Sequence, residues 1–144
     1  MSDLVVDASV AVKWVVEEDG SPHAVEILQR HRLSAPDLII PECANILWKK
    51  VRRGELTTDE AAVAAHLLQR ADLEIVPMRP LMVAALDLAL ELDHAAYDCI
   101  YLAVAIETGR PFATADDRLR RKLAGVAKPP SRPLMLSIAE AARL

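Results

Sequence analysis

Four carboxylates in this chain stand where an acid can do chemistry: Asp7, Glu42, Asp98 and Asp116. Asp7 closes a short apolar run, Leu4 to Asp7, that reads as a buried strand. Glu42 falls in the first turn of a helix opening at Pro41. Asp98 falls in the first turn of an apolar helix, Tyr97 to Thr108. Asp116 lies just past a strand-like stretch, Pro111 to Thr114, where another helix opens. In open α/β sheets, ligands bind outside the carboxyl ends of the strands, where helices begin. The four acids are far apart in sequence, yet each sits at such a junction. A set of this kind suits Mg²⁺ or Mn²⁺, which prefer carboxylate and water oxygens. An ion held there can activate a bound water as a nucleophile.

Each acid also has an ordinary structural reading. Asp is a strong N-cap, and acids in a first turn favour the helix dipole. Asp7 and Asp116 read equally as caps, and Glu42 as a dipole partner. Asp98 resists that reading most, because the helix it opens is apolar and expected to be buried. A buried, unpaired carboxylate is costly. Nearby polar residues could serve the same site. Ser9 follows Asp7 by two and can hold a metal-bound water. Asn45 and Lys49 follow Glu42 on one helix face. Thr114 precedes Asp116 by two and can orient it. Asp117, adjacent to Asp116, is the alternative ligand.

The elements that must position these acids follow from pattern. Ala8 to Val16 reads as helical. Ser21-Pro22 opens a helix, with Ser as N-cap and Pro first in the helix, running to Arg32. Leu33 to Pro36 is a short strand or a connection. The Pro41 helix runs to Arg53 and stops at Gly54. Thr57 and Glu60 form a capping box for the helix through Arg70. Leu73 to Val76 reads as a strand, Pro80 to Leu92 as a helix, and His94 to Ala96 as a loop. Asp116 to Leu123 is a helix, Lys128 to Pro133 a proline-rich connection, and Leu134 to Leu136 a last strand before a short helix. Alternating strands and helices predict an α/β sandwich on a mainly parallel sheet.

Composition narrows the class. The 144 residues suffice for one domain, 1–144, and are 53% apolar but only 3% aromatic, so an Ala, Val, Leu and Ile core is expected. The longest apolar run, Cys99 to Ile106, is eight residues, against the ~20 needed to span a bilayer. A cytoplasmic protein without a membrane partner is expected. Cys43 and Cys99 fit a reducing compartment and read as small core residues. Net charge is −4, unlike a general nucleic-acid binder. Positive charge is nevertheless clustered at Lys49, Lys50, Arg52 and Arg53, and at Arg118, Arg120, Arg121 and Lys122. These are solvated helix faces or phosphate-binding surfaces. His23, His31, His66 and His94 show no zinc spacing and read as surface or loop residues. Trp14 and Trp48 read as core or interface anchors.

The stretches LVVDASV, PECANILWK, YDCIYLAVA and FATADDRL resemble the motifs of PIN-domain nucleases, above all the VapC-type toxins. The resemblance runs in order along nearly the whole chain. It implies a PIN-like three-layer α/β/α sandwich and a Mg²⁺-dependent ribonuclease. Asp7, Glu42, Asp98 and Asp116 fall on the family's acids, with Asp7, Asp98 and Asp116 on the metal. Ser9, Asn45 and Thr114 fall on its supporting polar positions. It further implies an RNA substrate, a homodimer and a cognate antitoxin; from the basic clusters, Lys49, Arg120 and Arg121 are the residues expected to contact RNA phosphates. Asp7-Ala8-Ser9 lacks the second acid of an Asp-x-Asp phosphatase. A non-catalytic PIN-like binding module is the other alternative.

Overall fold

The computed structural model describes residues 1–126 and 133–144. The proline-rich connection read at Lys128 to Pro133 lies outside them, save its last residue. The strands are β1 (Asp3–Val6), β2 (Arg32–Pro36), β3 (Glu74–Val76), β4 (Phe112–Thr114) and β5 (Met135–Ser137). They form one sheet in the order β3-β2-β1-β4-β5, and every pairing is parallel. The stretch Leu33 to Pro36, left open between strand and connection, is a strand.

β1 lies at the centre, with Val5 in register with Ser34 of β2 and with Phe112 of β4. A parallel strand covered on both faces reads as a continuous apolar run rather than an alternating one. Leu4, Val5 and Val6 are all fully buried. Their alternation divides the core into two. Leu4 and Val6 join Ala24 and Ile27 of α2 (Ser21–Arg30) and Ala141 of α8 (Ile138–Ala142). Val5 joins the opposite core with α3 (Ile39–Arg52), α4 (Thr58–Gln69), α5 (Met82–Leu92) and α6 (Ala96–Thr108). The result is a three-layer α/β/α sandwich.

Helix starts follow local chemistry, with revisions: α2 ends at Arg30 rather than Arg32, since β2 begins at Arg32, and α3 opens at Ile39, two residues before Pro41. The Thr57–Glu60 capping box forms. The helix read from Ala8 to Val16 is a short α1 (Ala8–Ala11) continued by a 3₁₀ turn, Val12–Trp14. At α2 the cap is Gly20, not Ser21. Gly20 has φ +86°, and a Cβ there would stand 2.5 Å from Ile138 Cδ1, so both backbone and packing require glycine. Ser21, displaced into the helix, instead donates to the Val16 carbonyl at 2.8 Å.

His31 is not a surface residue. It is buried, accepts from the Ser2 amide at Nδ1 (3.1 Å), and sits 3.2 Å from the Ala141 carbonyl at Nε2. Trp14 packs against both cores, whereas Trp48 is half exposed beneath the Arg52 guanidinium. Cys43 and Cys99 are buried and free, as expected of small core residues. Among the described residues, no helix is long and apolar enough to cross a membrane.

Candidate active site at the carboxyl edge of the sheet

Because all five strands run the same way, their carboxyl ends share one edge. Asp7 lies there, directly after β1, and caps α1 by accepting from the Val10 amide at 3.3 Å. Its other bonds close the sheet edge. Oδ1 accepts from the Ser9 hydroxyl at 2.5 Å and Oδ2 from the Thr114 hydroxyl at 2.6 Å. Ser9 Oγ also accepts from the Ala115 amide, and Thr114 Oγ1 from the Asp116 amide. The ends of β1 and β4 are therefore joined through side chains. Thr114 touches both the first and the last acid.

Asp7 is only 7% exposed, and burial pushes its carboxyl up to about 6. The Ser9, Thr114 and Val10 hydrogen bonds oppose that rise, and the charge of Asp98 adds to it. Glu42, in the first turn of α3, is likewise raised by burial and by the Asp98 charge, against a hydrogen bond from Tyr101. Asp7, Glu42 and Asp98 thus share one electrostatic neighbourhood. Among the described residues, no Lys or Arg forms a salt bridge with Asp7, Glu42 or Asp116.

The burial expected of Asp98 belongs instead to Asp7. Asp98 is in the first turn of α6, where Ala96 and Tyr97 are exposed. Its side chain is 37% exposed and accepts from His94 Nε2 at 2.6 Å. Asp116 precedes α7 (Asp117–Val126) and caps it, accepting from the Leu119 amide at 3.0 Å. For Asp7 and Asp116, capping and a place at the site coexist. Asp117 is turned to Arg120, at 3.2 Å.

Two residues at the site escaped the sequence reading. Tyr101 is buried, stacks on Phe112 with centroids 5.9 Å apart, and donates its hydroxyl to Glu42. A tyrosine within an apolar helix signals a partner for its hydroxyl, since buried phenols are paired. His94 lies four residues before Asp98, in the connection between α5 and α6. It was expected in a loop, and it is, but it is bonded to a site acid. Asn45 and Lys49 lie exposed on α3 and bond to none of the four acids. Arg120 is engaged by Asp117 and stands 4.0 Å from Glu140, while Arg121 is exposed. Lys50 is bound to Glu18 at 2.6 Å.

The acids do not form a closed metal cage. Among the described residues, no three His, Cys, Asp or Glu side chains are arranged to hold one ion. Each carboxylate is instead occupied by a neighbour: Asp7 by two hydroxyls, Glu42 by Tyr101, Asp98 by His94. The donor chemistry still fits a divalent cation. These are hard oxygen ligands, and burial raises the carboxyls of Asp7 and Glu42, with the Asp98 charge adding to the rise.

Comparisons with known proteins point one way. The family described as PIN domain matches residues 4–123. Over 129 residues the chain is 34% identical to Ribonuclease VapC3 of Pyrobaculum aerophilum, covering 88% of this chain and 98% of that protein. The fold is similar to the crystal structure of PAE2754 from the same organism, with a TM-score of 0.74 at 22% identity, over 99% of this chain and 88% of that one. It is also similar to VapBC2 from Rickettsia felis, solved bound to a DNA fragment from their promoter. There the TM-score is 0.64 at 12% identity, over 94% of this chain and 98% of that one.

Proposed function

The chain belongs to the PIN-domain family, and from that premise we propose that it is a Mg²⁺-dependent ribonuclease cutting RNA internally, the toxin of a toxin–antitoxin pair. The observation that carries the reading is the gathering of Asp7, Glu42 and Asp98 at one sheet edge, close enough for the Asp98 charge to act on the other two. The name of the relative VapC3 supports the nuclease class. We assign Asp7, Asp98 and Asp116 as ligands of the ion, with Glu42 beside them. Mg²⁺, or Mn²⁺ in its place, would lower the pKa of the attacking water and stabilise charge on the phosphate.

The protein's own contribution is orientation. Ser9 and Thr114 fix both oxygens of Asp7. Tyr101 fixes Glu42, and His94 fixes Asp98. No Ser–His or Cys–His nucleophile is assembled among the described residues, and none is needed when water attacks. Cys43 is no nucleophile: burial pushes its thiol up to about 12.

The test is direct. RNA incubated with the full chain should be cut in Mg²⁺ and left intact in EDTA or with Asp98→Asn. Cleavage by Asp98→Asn at the wild-type rate would falsify the assignment. A non-catalytic binding module is the second reading, favoured by the internal occupation of each acid. It predicts RNA binding without cleavage in the same assay.

Two partners complete the proposal, acting with the protein in the cytoplasm. The VapBC2 structure pairs a relative with a second protein. A cognate antitoxin should place a basic side chain among these carboxylates, where a guanidinium can bind bidentately. Growth arrest on expression without that antitoxin checks the toxin assignment. A homodimer is supported by α5, whose Met82, Val83, Leu86 and Leu90 are all more than half exposed. Sedimentation of the purified chain decides it.

A further inference from the structure

We propose that a cavity beside the acids is a phosphate subsite, holding a backbone phosphate of RNA next to the one at the acidic edge. It has a volume of about 370 Å³ and is lined by His94, Asp116, Arg118, Leu119 and Lys122. That is ample room for a hydrated phosphate group. The inference rests on the nuclease reading for its substrate class, and the cavity shares Asp116 with the acidic edge while its cations, Arg118 and Lys122, belong to neither the acids nor their partners.

Charge favours an anion. Two cations, Arg118 and Lys122, oppose one carboxylate, Asp116, whose Oδ1 is already engaged by the Leu119 amide. Arg118 and Lys122 are four residues apart on α7, so they rise from one helix face. Both are exposed. Among the described residues, no carboxylate forms a salt bridge with either one. They are therefore unlike Arg120, engaged by Asp117, and Lys50, bound to Glu18.

Placement is built in as well. Lys122 Nζ donates to the Asp93 carbonyl at 2.9 Å, which leaves two of its three donors for a ligand. Asp93 ends α5 in the left-handed region at φ 49°, the one non-glycine residue described there. That turn presents its carbonyl to Lys122 and starts the connection carrying His94. His94 in turn touches Asp98 at 2.6 Å and lines the cavity together with Asp116. A phosphate seated on Arg118 and Lys122 thus lies one side chain away from Asp98. Consecutive phosphates on a single strand would then occupy the cavity and the acidic edge in turn.

Arg118 and Lys122 flank Arg120 and Arg121 along α7, so this subsite adds to the phosphate surface expected there. The experiment compares the wild type with Arg118→Gln, Lys122→Gln and the double variant. It measures binding of a fluorescent single-stranded RNA in EDTA over a range of salt, with Arg79→Gln, exposed and remote in sequence from both basic clusters, as the surface control. Each cation lost should weaken binding about 3- to 10-fold and lower the salt slope by about 0.7. Arg79→Gln should do neither. A methylphosphonate walked along the RNA should find one position whose neutralisation weakens the wild type but not the double variant. Variants that bind as the wild type does, with an unchanged slope, overturn the subsite. So does equal loss of affinity for polyglutamate, which would make the cavity a dock for acidic protein. Cleavage by the wild type is scored separately in Mg²⁺. Its absence sinks the nuclease reading without touching the binding result.

Discussion

Asp7→Asn separates a site built for a cation from an ordinary helix cap. In the folded protein the Asp7 carboxyl titrates at about 6, against 3.8 for an unburied one. Below pH 3.8 both states hold the proton and burial costs nothing. Between those values the unfolded chain loses its proton while the native state keeps it, so stability falls as pH rises. Above about 6 both are ionised and the penalty is constant, roughly 3 kcal/mol at 1.36 kcal/mol per pH unit. Asn removes that charge and caps helices about as well as Asp. It turns one acceptor oxygen into a donor, disturbing the Ser9 or Thr114 hydroxyl at about 1 kcal/mol. In EDTA at pH 8, Asp7→Asn should therefore be more stable than wild type by about 2 kcal/mol. At pH 4 it should be equal or slightly less stable. Urea unfolding at half-unit steps from pH 4 to 8 measures both curves. If the variant is less stable by the same amount at both ends, Asp7 is a satisfied cap and its charge is not strained.

Three further outcomes are expected. Tyr101→Phe takes the donor from Glu42 and should cost about 1–2 kcal/mol at pH 8 in urea melts, with RNA cleavage reduced. Mg²⁺ should raise the wild-type Tm by mass action, and the rise should shrink in Asp98→Asn; equal rises in thermal melts would place the ion elsewhere. Gly20→Ala must bring a Cβ against Ile138 at a left-handed φ and should lower stability by at least about 1 kcal/mol, measured at equilibrium in denaturant.

The four acids were legible because each marks a junction between a strand or loop and a helix, and such junctions carry local signals. The buried run at β1 and the capping box at Thr57 were legible for the same reason. What sequence spacing could not supply was depth. Asp98 opens the more apolar helix, yet Asp7 is the buried acid, because β1 is the central strand whereas the first turn of α6 is exposed at Ala96 and Tyr97. Nor could spacing foresee the pairs Tyr101–Glu42 and Thr114–Asp7, whose members are 59 and 107 residues apart. His94 was readable as a loop residue, but its tie to Asp98 depends on the turn at Asp93. His31 was misjudged because its partners, Ser2 and Ala141, come from opposite ends of the chain.

The central position of β1 has a bearing on synthesis. β1 can pair with β2 early, but its other edge waits for Phe112, and Asp7 waits for the Thr114 hydroxyl. At translation rates of about 5–20 residues per second, the 107 residues between Asp7 and Thr114 take roughly 5–20 s to emerge. Through that interval the nascent chain carries its first acid without the strand that completes the site. A growing copy therefore lacks a complete acidic edge until β4 has left the tunnel.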